Sequence, residues 1–200
     1  MNINKAIKKQ NKSYKRFMLF MCFVFFTLPL LLFLYKKANL FFIMYLIINE
    51  ILLLLVVLIR INNEYLKIKK DSYKIKIKSG IFSEEINIVW DKVVFIGIEK
   101  FIRKYDNEED FKIILISTSK FRNDRMLALK ETFILNHPLM EDYYINLKKI
   151  YCNEELFYTI ISKGKYYRYL LLDVLYRNCV KAYFDKEAIN KIKMYREINI

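Results

Sequence analysis

Hydrophobic positions run through this chain in two different rhythms. The first is continuous. From Phe17 to Tyr35 nineteen residues, FMLFMCFVFFTLPLLLFLY, carry no charge. At about 1.5 Å per residue, a helix of that length nearly matches a hydrocarbon core of about 30 Å. A second run of twenty-two, Ala38 to Ile59, is interrupted beyond its first two residues only by Asn49 and Glu50. A central acid costs about 2.5–3.5 kcal/mol on insertion scales. The sixteen Leu, Ile, Phe and Val residues of that run, each favourable by about 0.3–0.6 kcal/mol near the centre, outweigh it. Only Tyr35 to Asn39 can connect the two runs, which predicts an antiparallel transmembrane hairpin over 17–59, with helices 17–35 and 38–59. Pro29 is expected to kink or loosen the first helix. Lys36-Lys37 stand where a cleaved signal would carry small residues, so the first helix is expected to be retained.

The polar positions in the apolar runs ask for partners. Thr27, Asn49 and Glu50 fall at similar depth, which predicts helix pairing by hydrogen bonds, within one hairpin or between copies. An intramembrane carboxylate also suggests a proton or ion pathway, which a single hairpin would need oligomerisation to build.

The second rhythm begins at Glu64. Tyr73, Ile75 and Ile77 alternate with Lys74, Lys76 and Lys78, a period-two strand with its lysines on one face. Asp71-Ser72 and Ser79-Gly80 are turn signals on either side. Glu64–Lys69 reads as its partner strand, and further strands are expected over 81–89, 93–101, 111–118 and 143–150. Gly97 suggests a bulge. Tyr105 to Asp110 reads as an acidic turn, 125–135 as strand or helix, and His137-Pro138 as a break. Asn153 reads as an N-cap, with Glu154 and Glu155 in the first turn and Leu156, Phe157, Ile160 and Ile161 as a helical stripe ending at Lys163-Gly164. The order is about seven antiparallel strands and a closing helix.

Three segments in this order carry a resemblance: the hairpin Tyr73–Lys78/Ser79-Gly80/Ile81-Phe82, the segment from Ile88 to Val93 (IVWDKV), and Tyr144–Leu147 before Asn153-Glu154-Glu155-Leu156. Over residues 17–163 the chain resembles bacterial pleckstrin-homology-like (PH-like) membrane proteins of unknown function that carry a transmembrane pair before the domain. The resemblance implies a membrane α-helical hairpin plus an α+β, mainly β, PH-like domain over 61–163. It also suggests immunity or resistance against membrane-active peptides or envelope stress, which some relatives of this layout are linked to. The stretch 119–142 departs from the pattern, lacking a crisp sixth strand.

Beyond the domain, 165–200 forms a helical C-terminal tail. Residues 165–184 read as one helix, packed on the domain or another subunit or lying on the inner leaflet. Asp185 is expected to cap a last helix over Lys186 to Arg196. Trp90, the single tryptophan, is expected to pack at the end of the sheet.

Charge sets the orientation. Residues 1–16, a basic N-terminus, carry six lysines and arginines and no acid; the connecting loop has Lys36 and Lys37; Arg60, Lys67, Lys69 and Lys70 follow the second helix. The positive-inside rule then places both termini in the cytoplasm of a multi-pass plasma-membrane protein. A net charge of +14 points to anionic partners, lipid headgroups ahead of nucleic acid. Abundant Lys, Asn, Ile, Tyr and Phe also fit an AT-rich genome, which tempers that inference. The face of Lys74, Lys76 and Lys78 is the candidate anionic-lipid contact, set against a solvated face that protects a sheet edge.

No catalytic motif, phosphate-binding glycine loop or Cys/His cluster is present, and no cofactor or metal is expected. The three cysteines are expected to be reduced. Glu84-Glu85 and Glu108-Glu109-Asp110 read as turns and solvated faces. The expected role is a non-enzymatic, membrane-anchored binding or scaffold protein, partnered by the bilayer and by a homo-oligomer or another membrane protein.

Overall fold

The computed structural model describes residues 3–35, 39–103, 107–121 and 125–197. The chain divides into two compact units, 1–63 and 64–200. The loop lysines Lys36 and Lys37, and Tyr105 and Asp106 of the acidic turn, lie outside the described residues.

The first unit is a pair of helices, α1 (Ile3–Leu34) and α2 (Leu40–Glu64). Both are long and apolar enough to cross a membrane, and the most apolar window of each has no buried residue. The basic N-terminus is no separate arm: its described residues form the first turns of α1, which runs unbroken through Pro29. Arg60 closes one end of the pair. Its guanidinium donates to the Ser13 hydroxyl at 3.1 Å and lies 4.4 Å from the centre of the Phe17 ring.

Among the described residues the second unit holds two sheets and four α-helices. A three-stranded antiparallel sheet runs in the order β1-β2-β3, made of β1 (Leu66–Lys70), β2 (Lys74–Ser79) and β3 (Ile86–Val89). A five-stranded sheet contains β4 (Val93–Ile102), β5 (Glu109–Ser117), β6 (Leu127–Ala128), β7 (Phe157–Ile161) and β8 (Tyr183–Phe184) in the order β6-β7-β5-β4-β8. Its pairs are antiparallel except β4 with β8, which is parallel. The helices are α3 (Thr132–Asn136), α4 (Glu141–Ile150), α5 (Tyr167–Asn178) and α6 (Lys186–Arg196).

β5 is the hydrophobic centre. Ile113, Ile114, Leu115 and Ile116 are all buried, so both faces of the strand are covered. That explains its unbroken apolar run. Ile114 and Ile116 pack with Phe133, Met140 and Leu147 of the α3–α4 segment. Phe111, on the opposite face, meets Tyr169 of α5 edge-on at 5.1 Å.

Several expectations are corrected. Residues 143–150 are helix, not strand. Tyr143, Tyr144, Leu147 and Tyr151 recur at helical spacing and pack on the core, while Glu141, Asp142, Lys148 and Lys149 sit at the helix ends their charges favour. Conversely, the expected closing helix over 153–163 is turn and strand: Phe157–Ile161 is β7, which pairs with β5 and β6. Its aromatic and β-branched residues suit a strand buried from both sides. The expected helix over 165–184 stops at Asn178, and Tyr183–Phe184 returns as β8. α5 buries Leu171, Leu172 and Leu175 within its own unit. The stretch 125–135 is a short strand and a short helix in succession. Among the described residues the result is a three-stranded and a five-stranded sheet with four helices. This is not a clear sandwich of seven antiparallel strands plugged by a helix at 153–163.

Gly97 stands in regular register with Ile114, and the irregularity falls between Val93 and Phe95. Glycine is needed at 97 for room: an added Cβ would lie 2.6 Å from the Phe95 ring and 3.3 Å from the Met140 sulfur. Asp185 caps α6 as its sequence position predicts, its carboxylate accepting the Glu187 N–H. Trp90 is buried, its Nε1 donating to the Asp71 carbonyl at 3.3 Å.

The cysteines are free thiols: Cys22 and Cys152 are exposed and Cys179 is buried. Burial, aided by the Asp91 carboxylate, pushes the Cys179 thiol up to about 12 from its ordinary value of 9.0. At pH 8 Cys179 therefore stays protonated and inert, while Cys152 reacts. Maleimide labelling followed by mass spectrometry is expected to modify Cys152 in the folded protein and Cys179 only after denaturation. The unfolded chain releases this proton first, so the thiol's contribution to stability is intact below pH 9 and declines as pH rises toward 12.

Candidate functional site

The strongest chemical feature of the second unit is one face of the three-stranded sheet. Ile75, Ile77 and Ile88 are buried on its inner face. Alternation therefore turns Lys74, Lys76 and Lys78 outward together. The register adds two more residues, setting Lys67 opposite Lys78 and Lys69 opposite Lys76. Asn87 faces Lys76 from β3. Five lysines thus share one face. A one-residue slip of β2 would bury its three lysines and expose Ile75 and Ile77, so the isoleucines lock the arrangement.

This pattern runs against local stability. Directly opposed like charges destabilise a sheet by a few tenths of a kcal/mol, up to about 1 kcal/mol. Lysines that guard against edge pairing belong on edge strands. Here Lys74, Lys76 and Lys78 lie on β2, which is paired on both sides. Edge protection does not account for them. Their stems are half-buried along the sheet, leaving ammonium groups at the rim. The Lys74 ammonium lies 5.1 Å from the Tyr73 ring centre and 5.3 Å from that of Phe121. Among the described residues, Lys67, Lys69, Lys76 and Lys78 make no salt bridge.

Sequence inspection missed Lys67 and Lys69 as members of this face. The signal was present: Glu64–Lys69 reads as the partner strand, and pairing it across Asp71-Ser72 places its lysines opposite those of β2.

The hairpin's polar residues form hydrogen bonds along their own helices. The Thr27 hydroxyl donates to the Val24 carbonyl at 3.1 Å, and the Asn49 amide to the Tyr45 carbonyl at 2.7 Å. Both bonds stay within their own helix and use one donor of each side chain. Glu50 is half-buried on α2.

The remaining charged clusters hold the fold together. His137 Nδ1 lies 2.8 Å from the Glu99 carboxylate, which Lys112 approaches to 3.7 Å from the neighbouring strand. Asp110 is more than a solvated acid: it accepts from the buried Arg168 and lies 3.7 Å from Arg103, which also pairs with Glu108. Burial lowers the Arg168 pKa and the Asp110 carboxylate opposes that shift. Among the described residues no group of three His, Cys, Asp or Glu side chains is placed to hold a metal ion. The face therefore offers a dense, geometrically fixed array of cations suited to a multiply charged anionic surface.

No known protein family, curated protein or solved structure matches the chain.

Proposed function

We propose that this chain is a non-enzymatic, membrane-anchored binding protein whose five-lysine face rests on anionic lipid headgroups. α1 and α2 cross the plasma membrane as a hairpin with both termini in the cytoplasm, the leaflet richer in anionic lipid. The basic flanks at residues 5–16 and 60–70 support that orientation. The observation that carries the proposal is the pairing of Lys67 with Lys78 and Lys69 with Lys76, a costly arrangement that an anionic surface neutralises. Only Tyr65 separates the end of α2 from β1, so the first of these lysines follows the membrane anchor almost directly in the chain.

The test uses the full chain in lipid nanodiscs. Each lysine near an anionic surface contributes about 1 kcal/mol. Acylation of Lys67, Lys69, Lys76 and Lys78 is then expected to slow at least about tenfold in phosphatidylglycerol discs relative to phosphatidylcholine discs. High salt should remove the difference. Replacing Lys69 and Lys76 by glutamine should weaken the protection at Lys67 and Lys78 and leave the fold equally or slightly more stable. Equal acylation in both kinds of disc would refute the proposal.

A further inference from the structure

The β1–β2 ladder fixes how the lysines of the basic face are spaced. Its two ends set the phase. The Asp71 N–H donates to the Lys74 carbonyl at 2.9 Å, and the Gly80 N–H to the Tyr65 carbonyl at 2.9 Å. Between those ends the register pairs alternate between hydrogen-bonded and non-hydrogen-bonded. Lys69–Lys76 and Lys67–Lys78 therefore fall on hydrogen-bonded positions, with Ile68–Ile77 on a non-hydrogen-bonded one between them. Hydrogen-bonded pairs are the wider kind, with Cα atoms about 5.5 Å apart. Two residues along a strand add about 7 Å. The four lysines thus stand in two rows, each row one opposed pair.

Lys74 does not extend the array. β1 ends at Lys70, so no lysine of β1 stands opposite it. Asp71 meets Lys74 across the turn through the backbone, and the Lys74 ammonium lies against the Tyr73 and Phe121 rings. On the other flank Asn87, which carries no charge, faces Lys76. The two rows are a bounded set of four cations. Among the described residues none of the four has an acidic partner.

We propose that this array prefers a lipid carrying two phosphates on a three-carbon bridge, one phosphate seated in each row. The inference rests on the reading of the face as a surface for anionic headgroups and names the lipid class it selects. The two ammonium groups of a row reach the oxygens of one phosphate with charge-assisted hydrogen bonds of about 2.7–2.9 Å. The second row lies about 7 Å further along the strands, within the span of the bridge. Two separate phosphates have to be brought to that spacing against their mutual repulsion. The bridge already holds them there, so binding one phosphate delivers the other to its row. Register keeps the rows apart at a constant distance, because the inner-face isoleucines allow no slip. β1 follows the membrane-spanning α2 after a single residue, so the source is a membrane lipid, not a soluble bisphosphate.

The test places the full chain in phosphatidylcholine nanodiscs of three compositions. One has no further lipid, one contains phosphatidylglycerol, and one contains half as many molecules of diphosphatidylglycerol, so that the last two match in charge. Acylation of Lys67, Lys69, Lys76 and Lys78 is expected to be slower by about threefold or more with the two-phosphate lipid than with its charge-matched counterpart. Lys67→Gln and Lys76→Gln each break one row and should reduce that difference at the remaining lysines. Lys74→Gln should leave it unchanged. Trp90 fluorescence reports that each variant is folded. Equal protection in the two charge-matched discs, both above phosphatidylcholine, would overturn the preference and leave the anionic surface standing. Equal acylation in all three would remove both. A Lys74→Gln variant that loses the preference as fully as Lys76→Gln would refute the two-row arrangement.

Discussion

Replacing Arg168 by alanine is expected to lower the unfolding free energy of the second unit by about 3–5 kcal/mol, the cost of breaking a buried ion pair from one side. Arg168 is 1% exposed. Its guanidinium donates to the Phe111 carbonyl, to the Lys165 carbonyl at 3.0 Å and to the Asp110 carboxylate. It also lies 4.7 Å from the Phe111 ring centre. Alanine removes all of these at once and leaves the Phe111 carbonyl without its guanidinium donor. Arg103 remains near Asp110 and should hold the loss toward the lower end. Denaturant unfolding of the full chain, followed through the single tryptophan Trp90, measures the effect. Arg168→Met separates the contributions, since it keeps the apolar stem and drops the charge. A loss below about 1 kcal/mol for the alanine variant would contradict the assignment of a buried pair.

The second large effect is expected at Asp185. Its carboxylate accepts two backbone N–H groups, that of Glu187 at the start of α6 and that of Ile98 in β4 at 2.9 Å. Its own N–H donates to the Ile96 carbonyl at 3.1 Å. One side chain thus caps the last helix and fastens it to the five-stranded sheet. Asp185→Ala loses about 1 kcal/mol of capping and about 1–3 kcal/mol for the buried Ile98 donor left unsatisfied. The sum is about 2–4 kcal/mol. Asp185→Ser should recover the capping part alone. Hydrogen exchange at the Ile98 amide provides the site-specific check, with faster exchange expected in both variants. Unchanged exchange at Ile98 would mean that the carboxylate does not hold that amide.

The lysine face shows the limit between local and non-local information. Lys74, Lys76 and Lys78 were legible because strand alternation needs only consecutive residues. Lys67 and Lys69 joined them through register, a relation between two segments. Arg168 gave no local sign of burial, since its environment comes from Phe111 and Asp110, far away in the chain.

Residues 141–161 mark the boundary most sharply. Their apolar positions fit period two and period 3.6 about equally, so pattern alone assigned a strand where a helix forms and a helix where a strand forms. Burial decided between them: Leu147 turns onto the α3–α4 core, whereas β7 is claimed on both sides by β5 and β6. By itself the sequence determined two helices of membrane-spanning length, the β1–β5 strands with their lysine alternation, and the Asp185 cap. Each rests on residues within a turn or a few strand positions of one another. Strand order, the parallel return of β8, the pairing of lysine with lysine and the burial of Arg168 were decided only by the tertiary structure. They depend on which distant segments compete to cover the same apolar surface and backbone edge.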